Sequence, residues 1–408
     1  MINNAQAVVI GAGALGSSVA FHLAKAGWRQ VALVDRHELA SQTSPRAAGL
    51  TAQVRATDLM TRLAVMAVKK IVRFEAETGE SLTYYQSGSM KIARTPDHEQ
   101  QLSDEVTRGR RLGIDIDFVS VDEARRKTPF LQTTGIRAIT YTPSDLYLEP
   151  VQIPAGYARA AARLGATLLP NTTVTAIRMR DGEVQGVTTD KGDIRAPVVV
   201  DAAGAWIRLV GDFAHARVPV VPTRHQLLVS EPISGVAPTQ PIVRIIDSNV
   251  YLRPEKGGLM LGGYERDPVQ YDMRQLPPGF DIKDLPLDIG VLRRLADAVV
   301  EQFPVLRELT VREHRGGLPT MTADGEHMVG PIGSIRGLYL AGGCCVGGLS
   351  ISPAVGELLA QWIVDGKPPM DLGLMGPDRF KSAYDVEETL RAACRRRYAH
   401  HYWAVIKD

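Results

Sequence analysis

The strongest constraint on how this chain folds lies between Ala7 and Asp35. Ala7-Val-Val-Ile10 is an apolar run suited to a strand buried on both faces, and Gly11-Ala-Gly13-Ala14-Leu15-Gly16 follows it directly. A helical pattern occupies Ser17 to Lys25 and stops at Ala26-Gly27; a second strand, Gln30 to Val34, then closes on Asp35. Strand, glycine turn, helix and strand in this order form the unit that binds a dinucleotide. The glycines let the backbone approach a pyrophosphate, and the helix turns its free N–H groups and positive dipole end toward it. Asp35 stands about 20 residues beyond the glycines, where a carboxylate can accept ribose hydroxyls, with Arg36 beside it. The chain therefore begins with an α/β dinucleotide-binding domain.

At 408 residues it is too long for one ordinary domain, and two or three are expected. With 47 basic and 45 acidic residues the net charge is +2, so nothing global points to nucleic acid or an anionic membrane as partner. Cys344, Cys345 and Cys394 are too few for a disulfide framework and lack zinc-site spacing. Reduced thiols in a cytoplasmic protein, and no metal, are expected. No signal peptide is expected either, because no basic and apolar leader precedes Ala7. Gly337 to Gly356 is uncharged and of membrane length, but its six glycines and Pro353 predict strand, turn and helix rather than a membrane span.

Two later stretches extend the nucleotide domain. In mid-chain a helix is predicted over 157–164 and strands over 167–169, 172–177 and 184–189. Asp181-Gly182 makes a hairpin turn between the last two. A buried strand then runs from Pro197 to Asp201 into Ala203, Gly204 and Trp206. Near the end, a strand over 337–341 is followed by a glycine-rich turn and a helix over 354–364. The stretches between alternate short strands with turns, then show a helical pattern over 289–302. This predicts a nucleotide domain built from 1–81, 148–220 and 311–375, a sheet-based substrate domain from 82–147 and 221–310, and a helical extension over 376–408.

Four blocks, residues 11–16, 198–206, 314–333 and 338–363, resemble the D-amino-acid oxidase-like family of FAD enzymes. The likeness is narrower to its sarcosine, dimethylglycine and glycine oxidase branch, which includes iminodiacetate-type oxidases. It implies an FAD-binding Rossmann-like domain of the glutathione-reductase type with an inserted, mainly antiparallel β-sheet for substrate. The fingerprint alone does not separate NAD from FAD. The terminal strand, turn and helix favour FAD, because that helix's N-terminal dipole would face the flavin's pyrimidine edge. Expected FAD contacts are Gly11, Gly13, Ala14, Leu15, Gly16, Asp35 and Arg36, then Ser44, Arg46, Ala47, Ala48, Gly49 and Leu50. Val174, Ala203, Gly204, Trp206, Gly343, Gly347, Gly348, Leu349 and Ser350 complete the set. Some relatives link the flavin through a histidine where this chain has Arg46, or a cysteine where it has Gly317, so the resemblance implies non-covalent FAD.

The activity implied is oxidation of the C–N bond of a small secondary or tertiary N-substituted amino acid, of sarcosine, dimethylglycine or iminodiacetate type. A hydride passes to flavin N5, and the imine hydrolyses to an aldehyde or oxo acid plus amine. Oxygen or another electron acceptor then reoxidises the flavin, oxygen giving hydrogen peroxide. His225, in an Arg-His-Gln stretch, matches a histidine used by dimethylglycine-type relatives. Tyr251 and Arg253 share one strand face and suit a substrate carboxylate. Arg46, Arg55, Arg224 and Arg315 are further anion-binders, and spare arginines suit a substrate with two carboxylates. Met260 and Ser350 stand where sarcosine oxidases carry lysines, which keeps a dehydrogenase open. A D-amino acid or 2-hydroxy acid substrate, or a subunit role in a hetero-oligomeric oxidase, is the alternative. The basic tail reads as a solvated face or a contact between copies in a homo-oligomer.

Overall fold

A computed structural model describes residues 2–403. Ala7–Ile10 pairs in parallel with Val31–Val34 on one side and Val198–Asp201 on the other. Thr167–Leu169 and Leu338–Gly342 extend the parallel sheet, and Met328–Pro331 closes one edge antiparallel. Alternation along the first strand sets its two faces. Ala7 and Val9 pack with helices Ala14–Lys25, Gln152–Arg163 and Gly348–Asp365. Val8 and Ile10 pack with the sheet of Val174–Arg180, Glu183–Thr189 and Gly192–Arg195. Coverage on both sides explains why these strands are continuously apolar. The predicted hairpin turn forms with Asp181 and Gly182 both left-handed, φ 51° and 77°, the backbone that an Asp-Gly pair accepts.

A second, eight-stranded sheet carries His225–Ser230, Ile242–Ile245, Val250–Glu255 and Gly258–Gly263 at its centre. All its pairs are antiparallel except Ile242–Ile245 with Ser89–Ala93. Val311–Gly317, expected in the nucleotide domain, is instead an edge strand here, paired with His225–Ser230. One face packs on Ile289–Asp297, a helix that ends five residues short of the predicted 302.

The last helix of the nucleotide unit starts at Gly348, earlier than predicted, and contains Pro353. Proline has no N–H for the Leu349 carbonyl, and the Ser352 hydroxyl donates to that carbonyl instead at 2.9 Å. The tail forms the expected helix, Glu387–Ala399. Its Leu390, Cys394 and Tyr398 are buried against Leu227, Tyr251, Met260 and Tyr264, while Glu388, Arg395 and Arg396 on the other side are exposed. Among the described residues no helix is long and apolar enough to cross a membrane.

Candidate active site

Two cavities meet at Thr43. The first, about 1520 Å³, is lined by Gly11, Gly13, Asp35, Arg36, Ser44, Val174, Ala203, Gly204 and Trp206. The second, about 1430 Å³, is lined by Arg46 to Leu50, Gly347, Leu349 and Ser350, and also by His225 and Tyr251. Ala14, Leu15, Gly16, Gly343 and Gly348 lie on neither wall. Gly16 instead permits the turn, since a Cβ there would fall 1.9 Å from the Gly11 carbonyl oxygen. The Asp35 carboxylate accepts from the amides of Ala12, at 2.7 Å, and His37, at 2.8 Å. Ser44 Oγ accepts from the Ala14 amide at 3.0 Å. Neither helix that opens at the cavities has an acid in its first turn, so their dipoles are left for an anion or an electron-rich ring edge. An elongated trough between two such helix ends fits FAD.

The large sheet supplies the rest of the second cavity. Register aligns Arg315, Leu227, Gly262, Tyr251, Arg244 and Lys91 in one row across six strands. His225 shares that face, two residues along its strand from Leu227. A Cβ on Gly262 would lie 2.2 Å from Tyr251 Oη. The missing side chain therefore lets the phenol lie across the strand to His225 Nε2, 3.0 Å away. On the other side of the ring, His225 Nδ1 is 2.8 Å from Tyr398 Oη of the tail helix. Tyr264 packs on the same imidazole, and His401 stacks on Tyr264 with centroids 4.1 Å apart. His401, Tyr402 and Trp403 all line the cavity.

Burial lowers the pKa of His225 to about 4 and raises that of the Tyr251 phenol, so both are neutral near pH 7. His327, also on the wall, falls to about 3 through burial and the nearby Arg55 and Arg379 guanidinium groups. Cys345 rises to about 12 through burial and stays a thiol. Two cations on the wall are unusual. Arg244 is buried; its Nη2 donates to the Thr51 carbonyl at 2.7 Å, while Nη1 has no partner. The Arg55 Nε is likewise unpartnered. Its pKa is lowered by burial and then by Arg244. Neither arginine pairs with a carboxylate among the described residues.

A family model described as FAD dependent oxidoreductase matches residues 6–362. The chain belongs to this family. The enzyme is 31% identical over 386 residues to mitochondrial dimethylglycine dehydrogenase of Mus musculus, covering 93% of this chain and 44% of that one. Mitochondrial sarcosine dehydrogenase of the same organism is 31% identical over 410 residues, covering 99% and 44%. The chain thus spans less than half the length of these relatives. The crystal structure of L-proline dehydrogenase from P. horikoshii superposes with a TM-score of 0.84 at 24% identity, over 94% of this chain and 99% of that one, which shows a shared fold.

Within this FAD-dependent oxidoreductase, His225 and Tyr251 come together as expected, and Arg253 does not join them. Arg253 is buried one step further along the strand face. Its Nε donates to Ala48 O at 2.8 Å and its Nη1 to Pro254 O at 2.6 Å and the Glu255 carboxylate at 2.5 Å, and it lines neither cavity. Arg224 and Arg315 are paired with Glu265 and Glu313, and Arg46 bonds the carbonyls of Ser41 and Gln42. Met260 is buried in the core rather than on the wall. Arg244, Lys91 and the tail residues from Tyr398 to Trp403 went unrecognised in the sequence. The available signal for Arg244 was a lone charge in the apolar strand Ile242-Val-Arg-Ile245, the next strand in sequence after that of His225.

Proposed function

We propose that the enzyme oxidises the C–N bond of a small N-substituted amino acid, of the kind named in its dimethylglycine and sarcosine dehydrogenase relatives. The observation that carries this reading is the pair Arg55 and Arg244, two guanidinium groups that pair with no carboxylate among the described residues, beside the His225–Tyr251 hydrogen bond. A substrate carboxylate would supply the missing counter-charge, and guanidinium is the group best shaped to receive it. The same positive field disfavours a protonated amine and so favours the neutral, oxidisable form. When bound, FAD supplies the acceptor for the hydride equivalent leaving the carbon beside nitrogen. Gly11, Gly13, Asp35, Ser44, Gly347 and Ser350 would hold it along the trough. Tyr251 and Arg244 would orient the substrate, and the tail residues would keep bulk water out.

A two-carboxylate substrate such as an iminodiacetate fits the presence of two unpaired arginines rather than one. Neither Arg46 nor Gly317 offers the atom through which the flavin is linked in some relatives, which supports non-covalent FAD. Three free cysteines fit a reducing, cytoplasmic setting. The test is anaerobic mixing with N-methyl, N,N-dimethyl and N-carboxymethyl amino acids, followed by air. Bleaching of the flavin by these compounds supports the reading, and peroxide on admitting air would mark an oxidase. Bleaching only by 2-hydroxy acids or primary D-amino acids overturns it.

A further inference from the structure

Tyr398 is buried, and its hydroxyl makes one hydrogen bond among the described residues, to His225 Nδ1 at 2.8 Å. A buried hydroxyl carries one proton and two lone pairs, and leaving the donor unmatched is the costlier choice. Among the described residues its one possible acceptor is His225 Nδ1, which can accept only when it carries no proton. We infer that Tyr398 is a positioning residue that holds His225 as the Nε2–H tautomer and thereby aims the Tyr251 hydroxyl proton into the cavity.

With Nδ1 accepting, the neutral ring must carry its proton on Nε2. Nε2–H then donates to Tyr251 Oη, 3.0 Å away. The Tyr251 O–H, relieved of the imidazole, can only donate elsewhere, and the cavity beside Arg244 is where its wall opens. With the opposite tautomer Tyr251 would donate to Nε2 and offer the cavity lone pairs only, which would repel a carboxylate. The tail is well anchored for this task. Asn249 Nδ2 donates to the Ala399 carbonyl, and the Tyr402 amide donates to Asn249 Oδ1. A residue far along the chain would thus set the hydrogen-bond polarity of the substrate site. The link to a substrate carboxylate rests on the function proposed above, whereas the tautomer itself does not.

The tautomer can be read directly in substrate-free holoenzyme labelled with ¹⁵N-histidine, with His225 assigned by its loss in His225→Gln. At pH 7 a long-range proton–nitrogen correlation should show the proton on Nε2 and a bare Nδ1. Tyr398→Phe should bring in the Nδ1–H form, since Tyr251 can then donate to Nε2. A proton on Nδ1 in the unmodified enzyme, or an unchanged tautomer in Tyr398→Phe, overturns the inference. In turnover, Tyr398→Phe should raise KM for dimethylglycine roughly two- to tenfold, more than it lowers kcat. Flavin content and melting temperature, measured alongside, identify a merely structural defect. If dimethylglycine is no substrate, the nitrogen spectrum still decides the tautomer.

Discussion

Arg244 stands directly opposite Tyr251 across the antiparallel ladder that joins Ile242–Ile245 to Val250–Glu255. Facing residues on one sheet side lie within reach of each other, so this pair, and not Tyr251 with Arg253, puts a phenol beside a guanidinium that has no carboxylate partner among the described residues. Arg244→Gln should raise KM for an N-substituted amino acid roughly 10- to 100-fold, the range for losing a hydrogen bond to a charged group. Arg253→Ala should act on stability instead. It leaves the buried Glu255 with only the exposed Lys256 at 3.9 Å, at a cost of up to roughly 3–5 kcal/mol. Steady-state kinetics and denaturant midpoints of the two variants separate these roles.

Gly262→Ala tests the path that Tyr251 takes to His225. The new methyl would collide with the phenol oxygen, forcing the ring off its neighbour. Flavin content should remain, because Gly262 is away from the trough, while kcat/KM falls. Unchanged kinetics would remove the Tyr251–His225 contact from the site.

Proton uptake should destabilise the folded enzyme in mild acid. Burial holds the pKa of His225 near 4 and that of His327 near 3, against an ordinary 6.5. His401 is also lowered, through burial and neighbouring arginines. The unfolded chain then binds more protons than the folded one between these values, so stability rises with pH there. It should be complete above about 6.5 and decline as pH falls toward the folded values. A melting temperature measured from pH 8 to pH 4 checks the sign. Replacing His225 by Gln should flatten part of that slope.

The flavin should leave with the supernatant when the holoenzyme is precipitated in acid. Arg46 and Gly317 both line the second cavity, and neither supplies a histidine or cysteine at the positions where relatives make a covalent link. Yellow colour kept by the washed pellet would contradict this.

The nucleotide domain was legible because its determinants are local. Ala7 to Asp35 contains strand, turn, helix and acid within one short stretch, and Asp181-Gly182 announces its own hairpin. The Pro353 helix was shortened because its rescue, the Ser352 hydroxyl on the Leu349 carbonyl, is a side-chain substitution that periodicity does not display. The substrate site was only half legible. Alternation correctly put Tyr251 and Arg253 on one face, but it says nothing of what each meets. Arg253 is occupied by Glu255 and Ala48, and Arg244 reaches Tyr251 only through strand register. Tyr398 is more remote still, since it meets His225 by a docking of the tail that no local pattern encodes.

The most direct test of the account compares N,N-dimethylglycine with N,N-dimethylethanolamine, which keeps the tertiary amine and lacks the carboxylate. Each is titrated anaerobically into the purified enzyme while flavin absorbance is followed. Saturable bleaching by dimethylglycine is expected, with little or none by the amino alcohol at the same concentrations. Equal bleaching by both would contradict a carboxylate held by Arg55, Arg244 and Tyr251.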